Sequence, residues 1–174
     1  CTGLKSLTIG NGVSEIRQYA FSGCSNLSIV EIPNSVTSIK NDAFVNCIGL
    51  TSVTIGNSVA NIGSEAFQNC SNLKSLTIGN NLNSIGSYAF DGCNNLTSVT
   101  LNSNAIVGKE YTSTANIKYI FGAQVNEYIL GEEVNSIGSY AFWGCSNLTS
   151  ITISNSVTSI GSYAFENCSS LNSV

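Results

Sequence analysis

Three nine-residue stretches repeat a serine, a tyrosine and a cysteine at one spacing. They are IGSYAFDGC from Ile85 to Cys93, IGSYAFWGC from Ile137 to Cys145 and IGSYAFENC from Ile160 to Cys168. A recurring hydroxyl and thiol raise nucleophilic chemistry as a first reading, since each attacks once a neighbouring base takes its proton. The chain holds no His, which removes the commonest general base and the commonest metal ligand. Without His a structural zinc needs four thiolates, and the seven cysteines include no CxxC pair. Ser, Tyr and Cys therefore point to a repeated structural part rather than a reaction centre, and neither catalysis nor a cofactor is expected.

Composition narrows the partners. Only 9% of residues are charged and the net charge is −4, against a usual charged share of about 25%. With no basic run, nucleic acid and anionic membrane surfaces are poor matches. No apolar stretch approaches the roughly 20 residues of a membrane span, and no signal peptide is visible. The 174 residues contain no Met. A processed protein or a piece of a longer one is the expectation, with further repeats, a capping segment or another domain beyond Cys1 and Val174.

The cysteines give the period. Positions 1, 24, 47, 70 and 93 are 23 apart, as are 145 and 168, and Gly122 stands where the missing one belongs. Repeats thus begin near 1, 24, 47, 70, 93, 122 and 145, with a partial one at 168, and residues 102–121 carry an irregular insertion in the fifth. Each repeat places apolar residues at fixed offsets, as in Leu50, Val53, Ile55, Val59, Ile62, Ala66 and Phe67. One such unit cannot enclose a core, whereas stacked units can. The alternation in SVTI and SLTI is strand spacing, so one short strand per turn, pairing in parallel with the next, is expected.

The opening motif then has a structural reading. Ser64, Ser87, Ser139 and Ser162, with Asn41, are good helix N-caps. Gly or Asn always precedes Cys, and both tolerate the left-handed conformation that ends a helix. A cap, a short helical turn and a stop are expected. The thiols are read as buried and free, with some disulfide as the alternative, because stacked Cβ atoms sit farther apart than the ~3.8 Å a disulfide prefers.

Leu-x-x-Leu-x-Ile followed by VxxIxxxAFxxC resembles the BspA-type (Treponema-type) leucine-rich repeat. Leu50 to Cys70, LTSVTIGNSVANIGSEAFQNC, is close to a consensus for it. The resemblance weakens only between about Asn102 and Gly122. It implies an α/β repeat solenoid: a right-handed coil with a parallel sheet on the concave side and short helical turns on the convex side. It also implies a secreted or surface-exposed, adhesin-like module for host matrix or other cell-surface proteins. It carries no catalytic residues.

A specific contact site needs features that the repeat does not dictate. Five of seven repeats show Ser and Thr at the outward strand positions, and Ile29/Glu31 and Glu127/Ile129 break the rule. The insertion supplies Tyr111, Tyr119, Ile120, Phe121 and the pair Lys109–Glu110, and Trp143, the only Trp, follows one turn later. Ile120, Trp143 and Phe121 are expected to form an apolar patch, unless the insertion folds over Trp143. Tyr19, Tyr88, Tyr140 and Tyr163 recur eighteen residues after Cys and are expected in a partly exposed row. A structural spacer with no ligand of its own is the rival reading, and a glycan-binding hydroxyl face a remote one.

Overall fold

The computed structural model describes all 174 residues, Cys1–Val174. In chain order the elements are β1 (Glu15–Ile16), β2 (Ile29–Ile32), β3 (Ser38–Ile39), β4 (Ser52–Ile55), β5 (Asn61–Ile62), β6 (Ser75–Ile78), β7 (Ser84–Ile85) and β8 (Ser98–Leu101). The helices α1 (Asn104–Val107) and α2 (Ile117–Phe121) follow, then β9 (Glu127–Leu130), β10 (Ser136–Ile137), β11 (Ser150–Thr152) and β12 (Ser159–Ile160). Strands β2, β4, β6, β8, β9 and β11 form one six-stranded parallel sheet in sequence order. The register follows the 23-residue period, with Val53 opposite Leu76 and Leu76 opposite Val99. It survives the insertion, because Val99 pairs with Tyr128. Ser6–Ile9 carry the strand pattern but do not pair with β2, which is the sheet's edge.

Every second residue of each long strand turns inward and is aliphatic or Tyr128, and the outward positions are Ser and Thr except in β2 and β9. Val53 and Ile55 are buried while Ser52 and Thr54 reach solvent. The expectation of one strand per turn is incomplete. Two-residue strands ending in the next conserved Ile form a second parallel ladder, β1-β3-β5-β7, which resumes as β10-β12. In the turn between, α1 takes the place of the short strand, and the Val107 carbonyl accepts the Gly138 N–H at 3.0 Å.

The expected helical turns around Ala-Phe are absent, and the two helices lie in the insertion instead. In the corner of a typical turn, Asp42, Phe44 and Asn46 donate their N–H groups to Ser64, Ala66 and Gln68 of the next turn, at 3.0, 2.7 and 2.8 Å. An α-helix would send each N–H four residues back along its own axis. Left-handed residues at both sides of Ala-Phe, such as Asp42 (φ 57°) and Asn46 (φ 60°), stop any helix from propagating. The cap reading fails for the same reason: Asn41 Oδ1 accepts the Ser64 N–H of the following turn at 3.0 Å. The Gly/Asn position before Cys is left-handed in every regular turn, from Gly23 to Asn167.

The core is a stack. The rings of Phe21, Phe44, Phe67 and Phe90 lie 5.1–5.3 Å apart, the last three within 3° of parallel. Leu27, Leu50, Leu73, Leu96 and Leu148 are fully buried beside them. All seven cysteines are free thiols, five of them buried. Cys47, Cys70, Cys93 and Cys168 point Sγ at the Phe carbonyl of the preceding turn, 3.0–3.4 Å away. Burial pushes the Cys47 thiol up to about 11 and Cys145 up to about 12.

Two outcomes follow. Phe67→Ala, between two stacked rings, should cost about 3–5 kcal/mol in urea unfolding, and Phe21→Ala, half-buried at one end of the stack, clearly less. Equal losses would show that stacking is not what holds the turns. For the thiols, a folded pKa above the unfolded value of about 8.5 stabilises the fold fully below that pH. The contribution is lost as pH rises through the folded values of about 11 and 12. A thiol reagent near neutral pH should therefore label the exposed Cys1 at once and Cys47 and Cys145 only on unfolding. Rapid labelling of Cys47 or Cys145 in the folded chain contradicts this.

Candidate functional site

The strand register sorts the candidate contact residues onto one face. Ile29 stands opposite Ser52 and Glu31 opposite Thr54. Four strands further, Glu127 and Ile129 stand opposite Ser98 and Thr100. Between them lies a hydroxyl surface, Ser52/Thr54, Ser75/Thr77 and Ser98/Thr100, in register. Ser75 Oγ donates to Ser52 Oγ at 3.1 Å, and Ser98 Oγ to Glu127 Oε2 at 2.7 Å. Ile29 is 54% exposed, and Glu31 is exposed beside it. Lys5, Ile29, Glu31 and Pro33 border a cleft of about 580 Å³ at that end of the sheet. Glu127 and Ile129 are half-buried.

The second cluster sits on the corners, and the insertion builds it. Tyr111 donates its N–H to Ser139 and Ile117 to Ala141, so the segment continues the inter-turn ladder. Asn104 Oδ1 accepts from the N–H groups of Asn135 and Ser136, tying α1 to β10. Helix α2 then carries Lys118 to Trp143, with Nζ 5.3 Å from the indole centroid and 5.0 Å from the ring of Tyr119. From the other turn, Glu166 Oε2 accepts the Trp143 Nε1–H at 3.0 Å. Trp143 is half-buried, fixed between a cation on its ring and a carboxylate on its edge. Such cation–π contacts are worth about 0.5–1 kcal/mol at exposed sites. Ile120 is half-buried and Tyr119 is 61% exposed. The two border a cleft of about 310 Å³ with Ile85, Lys109, Glu110 and Tyr111.

Phe121 does not join the expected apolar patch: it lies wholly inside, at 0% exposure. Alignment by the 23-residue period puts it at the Gly/Asn stop, but α2 changes the count of residues through the corner. Its ring joins the stack 5.4 Å from Phe90. Tyr111 is also turned inward, its hydroxyl donating to the Ile106 carbonyl at 2.6 Å and burial pushing its pKa up to about 12. It braces the insertion.

The repeat offsets place Tyr128 at an inward strand position, but they do not show that Tyr128 and Gln124 repair the stack here. Tyr128, at a strand position held elsewhere by Leu, Val or Ile, is fully buried and bridges Phe121 and Phe142 at 6.4 and 5.0 Å. Its hydroxyl finds no partner. Where Gly122 replaces Cys, Gln124 Nε2 donates to the Phe121 and Cys93 carbonyls at 2.9 and 3.0 Å. Lys118 and Glu166, which hold Trp143, were also missed. The visible signal was a lone Lys among the apolar and aromatic residues of NIKYIFG.

The comparisons agree with this geometry. A crystallised leucine-rich repeat protein of T. pallidum is similar over 92% of this chain and 72% of its own, with 27% identity and a TM-score of 0.60. One from Bacteroides ovatus shares the fold over 100% of this chain and 67% of its own, with 23% identity and a TM-score of 0.51. No curated protein matches. The family model described as "BspA type Leucine rich repeat region" matches residues 1–118 and 113–174 in six copies. A 23-residue period, strands in register and a spanning family match lead to one conclusion: the chain belongs to the BspA-type leucine-rich repeat family.

Proposed function

We propose that this chain is a non-catalytic interaction module of a secreted or cell-surface protein, and that it binds a protein ligand through the corner cluster around Trp143. The observation that carries the reading is the clamp on Trp143. Lys118 from the insertion and Glu166 from the next turn fix the ring without burying it. Trp and Tyr are enriched among the residues that anchor protein interfaces. Ile120 and Tyr119 extend the surface toward the preceding turn. The outward sheet residues Ile29, Glu31, Glu127 and Ile129 are a second contact surface, on a face whose other positions are hydroxyls.

Host matrix or surface proteins are the ligands the family resemblance suggests, and surface exposure of the chain rests on the same resemblance. Absence of catalysis is supported by the lack of His and by buried thiols held protonated near neutral pH. No helix is long and apolar enough to cross a membrane. The rival is a spacer with no ligand of its own.

Capture of extracellular matrix and cell-surface proteins by the immobilised chain, compared with Trp143→Ala, separates the two. The expected result is selective capture that Trp143→Ala weakens about tenfold or more, with the thermal midpoint within a few degrees of the parent. Capture that Trp143→Ala leaves unchanged moves the site off this cluster. No capture at all favours the spacer.

A further inference from the structure

Every regular corner has two left-handed residues, and the sequence treats them differently. Before each Cys stand only Gly or Asn: Gly23, Asn46, Asn69, Gly92, Gly144 and Asn167. These are the residues that adopt positive φ at least cost. Four residues earlier in each corner the φ values are as positive, between 57° and 59°, yet Gly and Asn never appear. That position holds Tyr19, Asp42, Glu65, Tyr88, Tyr140 and Tyr163. A bulky side chain is strained in this conformation, and such strain persists only where the surrounding structure holds it, here the ladder repeated in every corner. Burial does not explain it at Tyr88, which is 68% exposed. Tyr140 and Tyr163 stack on one another at 5.0 Å, whereas Tyr88 has no ring partner.

Tyr88 instead borders a cleft of about 200 Å³ whose other exposed aromatic residue is Tyr119, with the buried Phe90 also in its lining. Ile120 contributes an apolar side chain, and Asp91, Asn94 and Gln124 contribute a carboxylate and two amides. Gln124 is held still by its two bonds to backbone carbonyls. Asp91 is the only charged side chain lining the cleft; no Lys or Arg does.

We propose that the cleft between Tyr88 and Tyr119 is a binding site for a neutral pyranose of a glycan. A pyranose has an apolar C–H face that packs on an exposed aromatic ring and an edge of hydroxyls that both donate and accept. Asp91 accepts, and the Asn94 amide offers either role. Asp91 opposes phosphate, sulfate and sialic acid, and the Lys118 ammonium beside the Tyr119 ring is engaged with Trp143. The cleft is smaller than the roughly 300 Å³ at which drug-sized pockets begin, which suits one ring rather than a peptide segment. The cleft shares Tyr119 and Ile120 with the surface around Trp143 but not Trp143 itself, and the proposal stands whether or not that protein contact exists.

The test presents the whole 174-residue chain to immobilised neutral oligosaccharides of hexoses and N-acetylhexosamines, alongside their sulfated and sialylated forms. The expected result is retention on neutral glycans, weakened roughly tenfold by Tyr88→Asn and by Tyr119→Ala and untouched by Trp143→Ala. Tyr88→Asn relieves the strained position, so its thermal midpoint should equal or exceed the parent's, which separates lost binding from lost folding. No retention on any neutral glycan overturns the proposal. So does preference for the sulfated or sialylated forms, or binding that both Tyr variants keep. A Tyr88→Asn variant that loses only captured protein makes the cleft a protein contact and overturns it equally.

Discussion

In this solenoid a backbone N–H leaving one turn must meet a carbonyl on an adjacent turn, one strand spacing of about 4.8 Å away. That constraint acts on three stretches of every regular turn: the long strand, the two-residue strand and the corner around Ala-Phe. Because all three ladders run in parallel, residues with one role recur at one offset, and each type of side chain forms its own row. The Phe rings, the Leu side chains and the thiols are such rows. A change in one turn is felt by its two neighbours and fades beyond them, as in other linear repeats.

The insertion shows what it takes to interrupt such a stack and resume it. Helix α1 replaces a short strand but still gives the next turn a carbonyl, that of Val107. Helix α2 changes the residue count through the corner, and Phe121 nevertheless arrives in the ring stack. Tyr128 and Gln124 fill the space and the hydrogen bonds that a regular turn would have met with an aliphatic residue and a Cys. The Tyr128 hydroxyl, buried without a partner, is an imperfection of about 1–3 kcal/mol by the usual cost of such a group. The features that the repeat does not dictate gather here: Lys118 against Trp143, and Tyr119 across from Tyr88.

Much of this was legible in the sequence because the period is strict. Parallel pairing, the inward aliphatics, the buried thiols and the left-handed residue before Cys all follow from offsets counted from Cys. The corner did not. Ser64-Glu65-Ala66-Phe67 has the composition of a capped helical turn, and local preference cannot show that its N–H groups are claimed by a neighbouring turn. Nor could counting show Phe121, since a short helix shifts the register without changing the periodic letters on either side. Trp143 was visible as an exception, but its two charged neighbours come from 25 residues before and 23 after it, and only the stacked turns bring them together.

Amide hydrogen exchange on the folded chain distinguishes inter-turn ladders from helices at the corners. The amides of Phe44, Asn46, Phe67 and Asn69, which reach into the following turn, should exchange as slowly as those of β4 and β6. The Ala43 and Ala66 amides, one residue before each Phe, should exchange faster. Uniformly fast exchange across Asn41–Asn46 and Ser64–Asn69, or slow exchange that includes the alanines, would contradict the inter-turn ladders.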